Sequence, residues 1–114
     1  PWELRDILVL ECTPKAGDYP YGKRVLYIDR QTFVPIYTLL YDEQGQYQKI
    51  LFELYGNPKH SPGNEQVRAP VWVGESMIDY QDKLGVITTV TKVLYNTPLP
   101  DDFFNLEKIV ARGQ

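Results

Sequence analysis

Short apolar runs separated by turn-forming residues set the pattern of the chain. Residues 5–13 are almost continuously apolar, which predicts a strand covered on both faces. Runs rich in β-branched and aromatic residues predict five more strands, over residues 23–28, 33–41, 46–54, 71–80 and 85–95. The spacing of these runs favours a mainly β protein built as a six-stranded antiparallel meander.

The turns between the predicted strands carry the strongest local signals. Asp29 follows the second strand, and its carboxylate is placed to accept a backbone N–H two or three residues later. The sequence Asp42-Glu43-Gln44-Gly45 is typical of a type I turn that ends on a residue with positive φ, which glycine adopts without steric cost. Pro35 lacks an N–H and predicts a bulge or a missing ladder bond near the start of the third strand.

The turn at Gly45 also predicts the register of its hairpin. The expected partners across the two strands are Tyr41 with Tyr47, Leu39 with Lys49, and Tyr37 with Leu51. Because side chains alternate along a strand, the remaining residues share the other, more uniformly aliphatic face. These residues are Ile36, Thr38, Leu40, Gln48, Ile50, Phe52 and Leu54.

The end of the chain predicts a short C-terminal helix. Asp101 is typical of a helix N-cap, and Gly113 is typical of a helix stop. The apolar residues between them recur at three- and four-residue spacing and form one stripe, made of Phe103, Leu106, Ile109 and Val110. We expect this helix to cover part of one face of the sheet.

Composition and charge restrict the class of protein. The 114 residues fit a single domain, residues 1–114, and 43% of them are hydrophobic. The formal net charge of −3 argues against a non-specific nucleic-acid binder. No apolar run reaches the length of about 20 residues that a membrane-spanning helix needs. The first residue is Pro1 rather than Met, and we expect the chain to be a fragment of a longer precursor.

Residues with catalytic or metal-binding chemistry are sparse. Cys12 and His60 are the only residues of their types, which excludes an internal disulfide and argues against a Cys/His zinc site. We expect Cys12 to be a half-buried strand residue and His60 to be a solvated loop residue. Two close carboxylate pairs fit a turn and a helix cap better than a metal site: Asp79 with Asp82, and Asp101 with Asp102. The sequence therefore predicts no catalytic residue, no metal and no cofactor.

Three features of the chain form a recognisable set. They are a strand–Asp–turn–Thr segment over residues 25–32, the Tyr41-Asp42-x-x-Gly45 hairpin, and a strand pair over residues 77–91. With the series KRVLYIDRQTFVPIYTLLYDEQGQYQKILFE over residues 23–53, they resemble the C-terminal part of the DUF1329 family. Members of this family are bacterial envelope proteins described as outer-membrane lipoprotein-sorting-like.

The resemblance implies a fold and a location. The wider class of LolA and LolB lipoprotein carriers has a half-open β-barrel whose concave lining holds acyl chains, so the resemblance implies a curved or half-barrel sheet. It further implies a non-enzymatic protein of the periplasm or outer membrane of a Gram-negative bacterium. It transfers no lipid site residue by residue.

One short helix is too small to cover a sheet with two apolar faces, and both faces must be buried. The first hypothesis is therefore that lipid or lipoprotein acyl chains lie against the aliphatic face, whose predicted lining is Leu26, Ile28, Ile36, Leu40, Ile50, Phe52 and Leu54. The second is a protein-interaction or assembly module, including a homodimer, that uses the same surface or a sheet edge. The third is a small hydrolase or isomerase with Asp79, Glu75 or His60 as its acid or base.

Overall fold

Six strands form one antiparallel sheet in which neighbours in the chain are neighbours in space. The structure is a computed structural model that describes residues 3–15, 17, 19–60, 63 and 65–112. The strands are β1 (Ile7–Cys12), β2 (Lys23–Asp29), β3 (Pro35–Tyr41), β4 (Tyr47–Gly56), β5 (Val71–Asp79) and β6 (Leu84–Thr89). A 3₁₀ turn, Pro58–His60, follows β4, and one helix, α1, covers Leu106–Arg112. The sheet is open, with β1 and β6 as its edges, and the predicted fold class is confirmed.

The two predicted aspartate turns are confirmed. Asp29 Oδ1 accepts the backbone N–H groups of Gln31 and Thr32, both at 2.8 Å. Gly45 has a φ of 76°, and its N–H donates to the Asp42 carbonyl at 3.0 Å. These local bonds close the β2–β3 and β3–β4 hairpins and hold the central strands in chain order.

A β-bulge at Gln48 shifts the register of the β3–β4 hairpin. Tyr41 pairs with Tyr47 as predicted, but the next pair is Leu40 with Lys49, so the ladder skips Gln48. A bulge of this kind leaves one extra residue on one strand and bends it locally. Since side chains alternate, every residue of β4 beyond Gln48 lies on the face opposite to the predicted one.

The bulge overturns two predicted pairs. The observed partners are Ile50 for Leu39, in place of Lys49, and Phe52 for Tyr37, in place of Leu51. The prediction was wrong because it extended a regular two-residue alternation from the turn, whereas the extra residue adds one position to β4 only.

The last strand is shorter than predicted. β6 ends at Thr89, and the Val90 N–H makes one further bond, to the Val73 carbonyl at 3.0 Å. Beyond this point the Tyr95 hydroxyl donates to the Pro70 carbonyl at 3.1 Å. The predicted end at residue 95 was wrong because the last β-branched residues of the run lie beside a loop rather than in the ladder.

The C-terminal helix begins later than predicted and leaves its apolar stripe exposed. Asn105 is the N-cap, since its Oδ1 accepts the Glu107 N–H at 3.0 Å. The prediction that Asp101 is the N-cap was wrong, because residues 101–104 form a separate turn before the helix. Leu106 is 73% exposed, so the expectation that the helix covers a face of the sheet was also wrong. The predicted stop, Gly113, lies outside the described residues.

The sheet buries little of its own apolar surface. Among the described residues, the buried hydrophobic side chains are Val25, Leu40 and Val71. On β1, Val9 is 60% exposed and Leu10, which points to the other face, is 49% exposed. The prediction that β1 is covered on both faces was therefore wrong within the described structure. The excess of apolar surface that the sequence indicated is present.

Candidate functional site on the aromatic face

One face of the sheet collects the aromatic side chains of its central strands, and we call it the aromatic face. Residues directly opposite each other in an antiparallel ladder point to the same side. The ladders and ring contacts place on this face, among others, Val25, Tyr27, Tyr37, Leu39, Tyr41, Tyr47, Ile50, Phe52, Ile78 and Tyr80.

Three tyrosines form a row across one end of the aromatic face. The rings of Tyr41 and Tyr47 have centroids 5.7 Å apart, and those of Tyr47 and Tyr80 are 5.1 Å apart. Burial, and next the neighbouring Tyr80, raise the pKa of Tyr47 above its usual range. The Tyr47 hydroxyl is therefore harder to ionise than that of a free tyrosine, and the row offers apolar rings with polar tips.

A second aromatic row crosses the same face further along the strands. Tyr27 and Tyr37 have ring centroids 6.4 Å apart, and Tyr37 meets Phe52 edge to face at 5.0 Å. Tyr37 and Tyr41 are four positions apart on β3, so the two rows are about 13 Å apart along the strand. We call this second set the Phe52 row.

An aliphatic row lies between the two aromatic rows. It runs across β2, β3, β4 and β5 through Val25, Leu39, Ile50 and Ile78. Three strand spacings give it a length of about 14 Å. An open hollow of about 230 Å³ lies here, lined by Tyr27, Tyr37, Leu39 and Ile50. We call the aliphatic row and the two aromatic rows beside it the groove. Its observed hollow lies beside the Phe52 row, and its aliphatic floor suits a linear apolar molecule.

Charged groups stand at the β2 end of the tyrosine row. Lys23 Nζ lies 4.6 Å from the ring centroid of Tyr41 and 3.3 Å from Glu11 Oε2. A cation over an aromatic ring is attracted to its face. The groove therefore has a polar corner beside its apolar floor.

The opposite face of the sheet carries buried charged groups. Lys49 Nζ is 3.1 Å from Asp79 Oδ2. The backbone N–H of Asp82, and then Lys49, lower the pKa of Asp79 below its ordinary value although burial opposes the shift. Nearby, the Tyr55 hydroxyl donates to Glu53 Oε2 at 2.6 Å. These polar groups share the face with an apolar row that includes Leu26, Leu51 and Met77, so this face is mixed in character and lacks the aromatic rows.

A second hollow, of about 260 Å³, opens where the β1–β2 loop meets the opposite face. Its lining is Cys12, Thr13, Pro14, Lys15, Tyr19, Tyr21 and Arg24. The guanidinium carbon of Arg24 lies 5.2 Å from the ring centroid of Tyr19. Cys12 is half-buried here, as predicted. Two basic side chains make this hollow more polar than the groove.

The predicted lipid-binding residues do not share one face. Ile50, Phe52 and Leu54 lie on the aromatic side, whereas Leu26, Ile28 and Leu40 lie on the opposite side. Ile36 is skipped by the β2–β3 ladder, at the bulge that Pro35 predicted. The prediction that these residues form a single wall was therefore wrong. The extra residue at Gln48 moves the β4 side chains that follow it to the face opposite to the predicted one. Whether any of these residues binds lipid stays a prediction.

Sequence reasoning missed three residues that line the hollow: Tyr27, Tyr37 and Leu39. The predicted register assigned Tyr37 and Leu39 to an amphipathic face beside Lys49. One signal was available, since Gln48 was the one amide side chain on the face predicted to be aliphatic. A polar residue at an apolar position of a strand is compatible with a bulge at that residue.

The residues considered for acid–base chemistry lie apart from the groove. His60 ends the exposed 3₁₀ turn, and Glu75 lies on the opposite face, where its Oε1 is 3.5 Å from the Thr88 hydroxyl. Asp79 is held by its own turn and by Lys49. In the part of the chain that the structure describes, no group of three or more His, Cys, Asp or Glu residues is arranged to hold a metal ion. Within those same residues, no helix has the length and apolar character to cross a membrane.

A family model that matches nearly the whole chain identifies its family. The model of the family described as "Protein of unknown function (DUF1329)" matches residues 1–108. The chain belongs to the DUF1329 family. No curated protein matches it in sequence. The predicted resemblance is confirmed.

Solved structures share the fold of this DUF1329 chain. A domain from Vibrio parahaemolyticus described as an outer membrane lipoprotein-sorting protein aligns with a TM-score of 0.73 at 21% identity, over 93% of this chain and 42% of that chain. A DUF1329 family protein from Desulfovibrio piger aligns with a TM-score of 0.74 at 19% identity, over 91% and 41%. A LolA superfamily protein from Nitrosomonas europaea aligns with a TM-score of 0.61 at 21% identity, over 95% and 46%. The chain thus spans less than half the length of these proteins, and the likeness shows the fold.

Proposed function

We propose that this DUF1329 chain is a non-enzymatic module of the bacterial envelope that holds lipid or lipoprotein acyl chains in the groove of its aromatic face. The observation that carries the proposal is the aliphatic row between two aromatic rows. The proposal keeps the acyl ligand predicted from the sequence. It replaces the predicted lining with Tyr27, Tyr37, Leu39, Ile50 and Phe52.

The physical support is the amount of apolar surface that the groove offers to a chain molecule. Each methylene group that leaves water contributes about 0.8 kcal/mol to binding. Contacts of this kind depend on area rather than direction, so the groove is expected to accept acyl chains of different lengths. Tyrosines suit the border of such a site because their rings are apolar and their hydroxyls remain in water.

The fold supports the location in the envelope and the class of ligand. One structural neighbour is described as an outer membrane lipoprotein-sorting protein domain, and another as a LolA superfamily protein. A shared fold fixes function only through its site. The groove is the site that we propose, and the two neighbours align over 93% and 95% of this chain.

A fluorescent long-chain fatty acid tests the proposal. Ile50→Ala removes part of the groove floor, and we expect it to weaken binding about five- to tenfold, since lost apolar contacts of about 1 kcal/mol change affinity by this order. The matched control is Leu51→Ala. Leu51 is the next residue of β4, is half-buried like Ile50, and points to the opposite face.

The two variants separate the alternatives. Weaker binding for Ile50→Ala alone, with unchanged circular dichroism for both variants, supports the groove. Equal loss in both variants, or weaker binding for Leu51→Ala alone, places the ligand elsewhere and contradicts the proposal. No binding of the fatty acid to the folded parent chain also contradicts it and leaves the protein-interaction hypothesis in its place.

A further inference from the structure

The free edge of β6 has the properties of a strand that pairs with an identical strand. We propose that two copies of this chain associate edge to edge, through antiparallel pairing of β6 with β6 of the second copy. The proposal does not depend on acyl-chain binding, because it rests on the backbone of β6 and on the absence of charge from this strand.

Nothing in β6 protects it from pairing. Val86 is 49% exposed and Ile87 is 81% exposed. The strand contains no charged residue and no proline, and its ladder with β5 has no bulge. Lysine, proline and β-bulges are the features with which proteins commonly block a free sheet edge. The edge of β6 is therefore open to a partner strand.

The backbone of β6 presents its free hydrogen-bonding groups in a defined pattern. The Val90 N–H donates to the Val73 carbonyl on β5. Hydrogen-bonded pairs alternate with non-bonded pairs along an antiparallel ladder, so Val86 and Thr88 also direct their backbone groups toward β5. The backbone N–H and C=O of Gly85, Ile87 and Thr89 consequently point away from the sheet.

A two-fold axis at Ile87 uses all of these groups. In this register Ile87 exchanges both backbone bonds with Ile87 of the second copy, and Gly85 pairs with Thr89 at each side. The chain leaves the strand just outside this segment, because Lys83 has a φ of 55° and β6 ends at Thr89. The paired segment itself is uncharged, so two copies bring no like charges together along it.

The other edge is less suited to self-association because its terminal charges are engaged within the chain. Arg5, just before β1, lies 2.6 Å from Asp29 Oδ2. Glu11, near the end of β1, lies 3.3 Å from Lys23 Nζ. A partner strand at β1 would meet charged groups near both ends of the edge, whereas β6 carries no charged residue.

Pairing at β6 would also extend the aromatic face. Ile87 lies opposite Ser76, which lies opposite Phe52, so its side chain shares that face. Side chains of directly opposite residues point to the same side, and the aromatic faces of the two copies would be continuous. The most exposed apolar side chain of the sheet would then pack against its own copy.

Sedimentation equilibrium of the 114-residue chain tests the proposal. We expect a concentration-dependent dimer of the 13.2 kDa protein. Ile87→Pro removes an N–H that points away from β5, so it leaves the β5–β6 ladder intact. We expect it to weaken dimerisation about tenfold or more, because two intermolecular hydrogen bonds are lost and their acceptors stay unpaired. Ile87→Ala, which keeps the N–H, is the matched control and should retain a larger part of the affinity.

Ile87→Lys tests the edge even where the proline variant folds poorly. It keeps the backbone N–H of the exposed residue 87 but brings two ammonium groups together at the two-fold axis, so we expect it to weaken the dimer more than Ile87→Ala does. An Ile87→Lys variant that dimerises like the parent contradicts the proposal. A parent chain that stays monomeric at every concentration, or an Ile87→Pro variant that folds and dimerises like the parent, would overturn the proposal.

Discussion

Tyr37 and Phe52 meet edge to face across β3 and β4, with ring centroids 5.0 Å apart and ring planes inclined by 78°. A regular hairpin would have placed these rings on opposite faces of the sheet. Their contact follows from the bulge at Gln48, which turns β4 over relative to β3. The same bulge places Ile50 beside Leu39 in the groove floor.

The contact between these two rings has a measurable energy. In a double-mutant cycle with Tyr37→Leu and Phe52→Leu, we expect a coupling of about 0.5–1.5 kcal/mol in the free energy of unfolding. The measurement is urea unfolding of the parent, the two single variants and the double variant. The control cycle pairs Tyr37→Leu with Leu51→Ala, where coupling should be close to zero. Coupling to Leu51 instead of Phe52 would show that the regular register is the real one.

The fold is predictable from the sequence where local chemistry decides it. Asp29 and Gly45 specify their turns through side-chain acceptors and positive φ, and short turns make consecutive strands neighbours. The register of β4 was not predictable in this way. The position of a bulge depends on how the whole ladder packs. The local hint in the sequence was a single polar side chain, that of Gln48.

Gly45 is expected to be the sensitive glycine of the central hairpin. Its φ of 76° is unfavourable for any residue with a Cβ, so Gly45→Ala should lower the free energy of unfolding by about 1–2 kcal/mol. The control is Gly85→Ala in β6, where an added Cβ meets no atom closer than 3.8 Å and φ is not left-handed. Urea unfolding should show little loss for this control. A larger loss at Gly85 than at Gly45 would be incompatible with the turn described here.

Asp29 is expected to make the stability of the protein depend on acid pH. Hydrogen bonding from Arg5, with Nε 2.6 Å from Oδ2, is the main cause that holds the pKa of Asp29 well below its ordinary value of 3.8. A carboxylate with a lowered folded-state pKa stabilises the fold above the unfolded pKa, and this stability is lost as the pH falls. The free energy of unfolding should therefore be level above about pH 5 and fall below about pH 4.

Two variants assign that pH dependence to the Arg5–Asp29 contact. Asp29→Asn should cost about 2–3 kcal/mol near neutral pH, because buried donors lose a charged acceptor, and it should flatten the decline at low pH. Arg5→Gln should flatten the decline as well, whereas Arg5→Lys should keep part of it. Urea unfolding at a series of pH values measures all three. A decline that both Asp29→Asn and Arg5→Gln leave unchanged would refute this assignment.

Asp79 makes the same kinds of contact as Asp29: its carboxylate accepts two backbone N–H groups of the following turn and pairs with a basic side chain. Its Oδ1 accepts the N–H groups of Gln81 and Asp82 at 3.0 Å, and its Oδ2 faces Lys49. Only the pattern Ile-Asp-x-Gln is shared between the two turns, at residues 28–31 and 78–81. So short a pattern predicts a turn but not the buried ion pair behind it, since the basic partner comes from another segment in each case.

The candidate site was predictable in kind but not in its residues. Counting apolar positions predicted surface beyond what the helix covers, and exposed Val9, Ile87 and Leu106 agree with that expectation. Which aromatic and aliphatic side chains share a face depends on register, and the sequence alone placed Tyr37 and Leu39 away from Ile50. The prediction that α1 covers part of the sheet was wrong, because the helix begins at its N-cap Asn105, after a separate turn.

The most direct test of the acyl-chain site is nuclear magnetic resonance of the chain with a long-chain fatty acid. Intermolecular contacts between the acyl protons and the side chains of Tyr37, Leu39 and Ile50 are the predicted result. Contacts confined to Leu26 and Leu51 on the opposite face, or no contacts at saturating fatty acid, would contradict the account.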